Sequence, residues 1–250
     1  MKFKHLATGL LAAAVAAGSF ATTPVFAKES IFIPVFSYRT GPFSPGGTKV
    51  ANGYTAYLKY IQKTGGVEGV DVQFEECEFG YKTDRGVECY ERMKSKGSIV
   101  SHPNSTGLTY KLVPKAPVDE IPIFTMGYGM SGAADGRYFP WAFNFPTSYW
   151  SQASAFIQYV GNESGGLDKL KGKKIGLIFL ESGYGREPIP LFEALGKKYG
   201  FEFKHWAIPA KQMADQRSQW RKITRWNPDY MFMWGWGVMN PTAVSRAHEF

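Results

Sequence analysis

From residue 31 to the end of this 250-residue chain, short apolar runs alternate with segments whose apolar residues recur at helical spacing. That alternation constrains the fold more than any motif does. Ile31 to Phe36, Val70 to Phe74, Ser98 to Ser101, Ile121 to Thr125, Lys174 to Leu180, Phe201 to Ala207 and Tyr230 to Trp234 read as strands. Several are apolar throughout, as parallel strands covered by helices on both faces must be. Between them, Val50, Tyr54, Tyr57, Leu58 and Ile61 mark a first helix. Ser44-Pro45 opens it as N-cap and first-turn proline, and Gly65-Gly66 ends it. Further helices are expected over Thr83 to Lys96, Gly107 to Val113, Tyr149 to Val160, Pro188 to Tyr199 and Asp215 to Trp226, with a last one from Pro241.

Repeated βα units predict an α/β protein with parallel central sheets, wound on both faces. Glycines, prolines and aromatics from Met126 to Pro146 interrupt the rhythm, which restarts near residue 148. The chain is therefore expected to form two Rossmann-like lobes, residues 28–147 and 148–250. The second holds about three strands and stops inside a helix, so it is expected to be incomplete at its C-terminus.

Residues 1–27 read as a cleavable export signal. Lys2 and Lys4 form a cationic start, Leu6 to Ala17 an apolar run, and Val25-Phe26-Ala27 a peptidase site after Ala27. The apolar run is shorter than the ~20 residues a spanning helix needs. A periplasmic location without membrane insertion is thus expected, and most nucleotide-dependent chemistry falls away. The formal charge is +8. Arg217 to Trp226 interleaves cations with aromatics in a way that suits single-stranded nucleic acid. Against that, Trp220, Ile223 and Asn227 fall on one helical face with the cations in solvent, and export removes the partner, so no nucleic acid is expected.

Cys77 and Cys89 are the only cysteines. An even pair in an oxidising compartment favours a disulfide, closing a loop worth roughly 3 kcal/mol. Two free thiols, or a metal site with His102, are the rival readings, although a lone pair at this spacing matches no zinc pattern.

Ligands of open parallel sheets bind beyond the carboxyl ends of the strands. That rule selects Tyr38, Gly41 and Phe43, then the loop His102-Pro-Asn-Ser-Thr-Gly107, whose hydroxyls and amides suit an anion. It also selects Thr125-Met-Gly-Tyr-Gly129, Glu181-Ser-Gly-Tyr-Gly185 and Trp234-Gly-Trp-Gly237. Hydroxyls, aromatics and glycines dominate these loops, a lining for gripping a small solute more than for transforming it. Gly127-x-Gly129-x-x-Gly132 matches a dinucleotide fingerprint in form only, because a loop follows where a helix is required, and no acid lies ~20 positions on. No G-x-S-x-G elbow occurs. A secreted hydrolase would have to depend on His102 beside Ser101 or Ser105, since His5 lies in the signal, His205 in a strand and His248 at the end. No enzyme, cofactor or resident metal is expected.

In order and spacing these loops resemble the type I periplasmic binding proteins, specifically the branched-chain amino acid binders that feed ABC importers. The resemblance rests on Ile31-Phe-Ile-Pro-Val35 with Thr40-Gly-Pro-Phe43, Gly53, Gly65-Gly-Val-x-Gly69, Ser101 to Gly107, Ile121-Pro-Ile-Phe-Thr125, Ser182-Gly-Tyr-Gly185 and Trp234-Gly-Trp-Gly237. It implies that Ser105 or Thr106 meets the ligand carboxylate, with Thr125, Gly127 and Tyr128 beside it. It implies too that Tyr184, Trp234 and Trp236 close from the second lobe. The loop Met126-Gly-Tyr-Gly-Met130 lacks the threonine that amino acid binders carry there, so an aromatic carboxylate or a small amide remains an alternative solute. The implied partners are a small molecule and a membrane permease, the implied state a monomer. A ligand sensor of the same fold is the alternative role.

Overall fold

The computed structural model describes residues 29–125 and 129–250. Two parallel sheets organise it, and each arises where the apolar runs fall. In the first, β1 (Ser30–Ser37) pairs in parallel with β2 (Asp71–Glu78), Ser30 opposite Asp71 and Ser37 opposite Glu78. Single parallel bridges, Phe32 to Ser98 and Ser101 to Ile123, carry the sheet across to β3 (Ile123–Thr125). Residues 98–101 therefore link two strands instead of forming the short strand expected of them. β3 pairs in parallel with β4 (Ala142–Asn144), an element inside the stretch that the sequence marks as irregular. The second sheet sets β5 (Lys174–Leu180) between β6 (Glu202–Ile208) and β7 (Tyr230–Trp234), all parallel. Its central strand is buried from Ile175 to Leu180, as its uninterrupted apolar sequence requires.

The connecting helices are α1 (Ser44–Lys63), α2 (Thr83–Lys94), α3 (Thr106–Leu112) and α4 (Ala116–Asp119) in the first half. The second half adds α5 (Tyr149–Glu163), α6 (Gly183–Arg186), α7 (Ile189–Tyr199), α8 (Arg217–Trp226) and α9 (Met239–Glu249). Two details differ from expectation. Phe43, not Ser44, stands at the N-cap of α1, and no side chain caps it, because Ser44 is already helical. Asn227 leaves the inner face of α8 and ends the helix in the left-handed conformation (φ 55°), a role asparagine tolerates. Trp220 and Ile223 are the buried residues of α8, while Arg221, Lys222 and Arg225 are exposed.

Phe36, Tyr90, Leu108 and Ile123 of the first half belong to one buried cluster with Ile178, Ile208, Trp220 and Met239 of the second. A second cluster, including Tyr149, Ile157, Ile175, Phe192 and Trp234, fills the space beneath α5 and α7. Cys77 at the end of β2 is joined to Cys89 of α2 by a disulfide, Cα to Cα 5.9 Å, which fastens helix to sheet. Among the described residues no helix is long and apolar enough to cross a membrane.

Candidate functional site

The carboxyl ends of both sheets face one crevice, and a pocket of about 280 Å³ opens there. From the first sheet come Tyr38, just beyond β1, and Tyr81, just beyond β2. Tyr81 holds a left-handed backbone (φ 61°), a conformation that costs a non-glycine residue roughly 1–2 kcal/mol. Its ring is pinned in return, centroids 4.7 Å from both Tyr38 and Phe43. Asn104, also left-handed (φ 53°), turns the chain so that Ser105 can cap α3, its Oγ accepting from Leu108 N at 3.4 Å. Thr106 follows in the first turn. Its Oγ1 lies 2.8 Å from the hydroxyl of Tyr149, the first residue of α5.

From the second sheet come Tyr184 on α6 and Trp236 beyond β7. The Tyr184 hydroxyl donates to Gly235 O at 3.3 Å, tying the two loops together. Trp236 leans over the first turn of α1, where only glycine fits: a Cβ on Gly46 would stand 2.8 Å from the indole. Burial is the largest cause raising Tyr38, Tyr81, Tyr149 and Tyr184 above the ordinary phenol range. The four phenols therefore stay neutral donors at physiological pH. Val50, Gln152 and Asn104 complete a lining that carries no formal charge among the described residues.

Of the residues singled out in the sequence, Tyr38, Asn104, Ser105, Thr106, Tyr184 and Trp236 meet at this pocket. Trp234 does not line it. It is 4% exposed and packs behind, its ring 6.0 Å from Tyr184 and 5.8 Å from Tyr149. Thr125 stands apart as well, its Oγ1 donating to Asn144 Oδ1 at 2.6 Å. It edges a neighbouring recess of about 520 Å³ with Tyr54, His102, Phe124 and Phe145. Gly127 and Tyr128 lie outside the described residues. Tyr81, Tyr149 and Gln152 escaped the sequence reading. The strand-end rule applied to β2 would have found Tyr81, whereas Tyr149 and Gln152 lie on a helix whose amphipathic pattern is ordinary.

The chemistry available is recognition. Aromatic surface offers apolar contact, and hydroxyls and amides offer directed hydrogen bonds, as small-molecule pockets generally do. The hydroxyls of Thr106 and Tyr149 use one proton between them and keep one to donate outward.

Comparison with known proteins gives a consistent result. The sequence profile of a periplasmic binding protein family matches residues 30–250. A solved structure from the Pseudomonas fluorescens group, described as an ABC transporter permease, is 39% identical with a TM-score of 0.75, over 88% of this chain and 54% of that one. A branched chain amino acid ABC transporter from Thermus thermophilus with bound valine has a TM-score of 0.77 at 18% identity, over 90% of this chain and 57% of that one. A fatty acid ABC transporter substrate-binding protein from Thermomonospora curvata has a TM-score of 0.73 at 16% identity, over 89% of this chain and 56% of that one. The last two likenesses are of fold alone. This chain spans just over half the length of these structures. No curated protein matches it.

Proposed function

The chain belongs to the periplasmic binding protein family, and from that premise we propose that it captures a small solute between two lobes for an ABC importer. The observation that carries this reading is the pocket of about 280 Å³ at the carboxyl ends of both parallel sheets. The lobes are residues 28–147 and 148–250, and the protein works as a periplasmic monomer once the signal is removed after Ala27. Ser105 and Thr106 hold the solute on the first lobe, and Tyr184 and Trp236 engage it when the lobes close. A membrane permease then reads the closed surface.

The resemblance to branched-chain amino acid binders supports an aliphatic amino acid as solute. The lining itself favours a second reading, an aromatic carboxylate or small amide, because Tyr38, Tyr81, Tyr149, Tyr184 and Trp236 supply aromatic surface with neutral donors. An apolar cavity of ~150 Å³ holds a benzene molecule, so the present volume accommodates one substituted ring.

The test is thermal unfolding of the full-length mature protein against amino acids, aromatic acids and small amides. A ligand at a hundred times its Kd adds about 2.7 kcal/mol. Stabilisation by leucine-like amino acids supports the first reading, and stabilisation only by aromatic acids or amides supports the second. No stabilisation by any solute, with the protein folded, overturns the binding role.

A further inference from the structure

Glu187 lies just past α6, three residues after Tyr184, and is only 9% exposed although it carries a carboxylate. A buried carboxylate is tolerated when hydrogen bonds replace its water. Both partners here come from the other half of the molecule. The hydroxyl of Tyr110, on α3, donates to Oε1, and the amide of Ser131 donates to Oε2 at 3.2 Å. The backbone of Glu187 is fixed at the same time, its carbonyl accepting from Trp150 Nε1 at 3.0 Å and its amide donating to Tyr184 O at 3.3 Å.

Tyr110 stands four residues after Thr106, one turn further along the same helix face. α3 thus sends two hydroxyls across the crevice, Thr106 to Tyr149 inside the pocket and Tyr110 to Glu187 behind it. Gly183 leaves room for the second: a Cβ there would meet the Tyr110 ring at 3.1 Å.

We propose that Glu187, with Tyr110 and the Ser131 amide, is an inter-lobe latch that sets how much of the protein is closed and hence how firmly the pocket holds its solute. This rests on the reading of the crevice as a solute site closed by lobe motion. When the lobes part, water hydrates the carboxylate and the phenol again, so the contact holds the closed form without being needed for either lobe to fold. The latch acts through closure and touches no solute; Glu187 is a positioning residue.

The experiment needs no ligand. Dyes on Lys59→Cys of α1 and Lys197→Cys of α7, both exposed, report the inter-lobe distance in the full-length protein by energy transfer. Tyr110→Phe and Glu187→Ala are each expected to raise the ratio of open to closed molecules roughly ten-fold, the scale of a hydrogen bond to a charged group. The double variant is expected to add little to Glu187→Ala alone, since that variant already removes the acceptor of Tyr110. Unfolding temperature should barely move in Tyr110→Phe. An unchanged distance distribution in both variants, or a parent protein already open, overturns the latch. If the variants open as expected while the thermal screen finds no solute, the latch stands and the solute-binding reading falls.

Discussion

Thr106 Oγ1 and Tyr149 OH stand 2.8 Å apart across the crevice, so a single hydrogen bond joins the first turn of α3 to the first turn of α5. Tyr149 is 6% exposed, and its buried hydroxyl has two partners, the Thr106 hydroxyl and the backbone of Gly129, so losing the first leaves it with one. Thr106→Val keeps the side-chain shape and removes the oxygen. The expected cost is about 1–2 kcal/mol, or roughly 3–6 °C in Tm. Thr106→Ser should recover most of it, and thermal unfolding of the three proteins side by side decides.

Trp236 lines the pocket and Trp234 lies behind it, although only Gly235 separates them. A solute that enters should therefore change the fluorescence of Trp236. Trp236→Phe is expected to remove most of the signal and weaken retention, while Trp234→Phe should keep the signal. Titration with a solute that stabilises the parent protein tests the pair, and a signal that follows Trp234 refutes the assignment.

The Cys77–Cys89 bond fastens β2 to α2. Removing a disulfide across a loop of this length costs roughly 3 kcal/mol on the chain-entropy account. Reductant should lower Tm by about 6 °C or more. The Cys77→Ser, Cys89→Ser double variant should start at that lower value and ignore reductant, as unfolding scans with and without dithiothreitol would show.

His102, in the recess beside Thr125, is lowered by burial to about 4. The unfolded chain takes up this proton near pH ~6.5. The unfolded state then binds more protons than the folded one, so stability falls as pH drops from about 6.5 to 4 and levels off below. The loss should be roughly 2 kcal/mol, discounted because the ring is only partly enclosed. Denaturant unfolding across that range should show the slope, and His102→Gln should flatten it.

Most of the architecture was legible because buried parallel strands need apolar residues on both faces. β5 and β7 fall where their runs begin and end, at Lys174 to Leu180 and Tyr230 to Trp234. β4 was not legible, since Ala142-Phe-Asn144 is three residues set among prolines and pairs only because β3 lies beside it. The site divides in the same way. Ser105, Thr106, Tyr184 and Trp236 follow strand ends and announce themselves. Tyr149 joins the pocket through the packing of α5, a long-range outcome that local pattern does not encode. Trp234 stands apart from the pocket for the converse reason. It ends β7 and its ring faces the second core.

The pocket lining carries no formal charge among the described residues, while the chain as a whole is basic, with a formal +8. Ionic strength acts on exposed charges and hardly at all on neutral hydrogen bonds and aromatic contact. Salt should therefore govern how quickly an anionic solute arrives at this protein and leave untouched how long it stays. On the proposed role, salt would then change the speed of capture and leave the strength of the grip nearly the same.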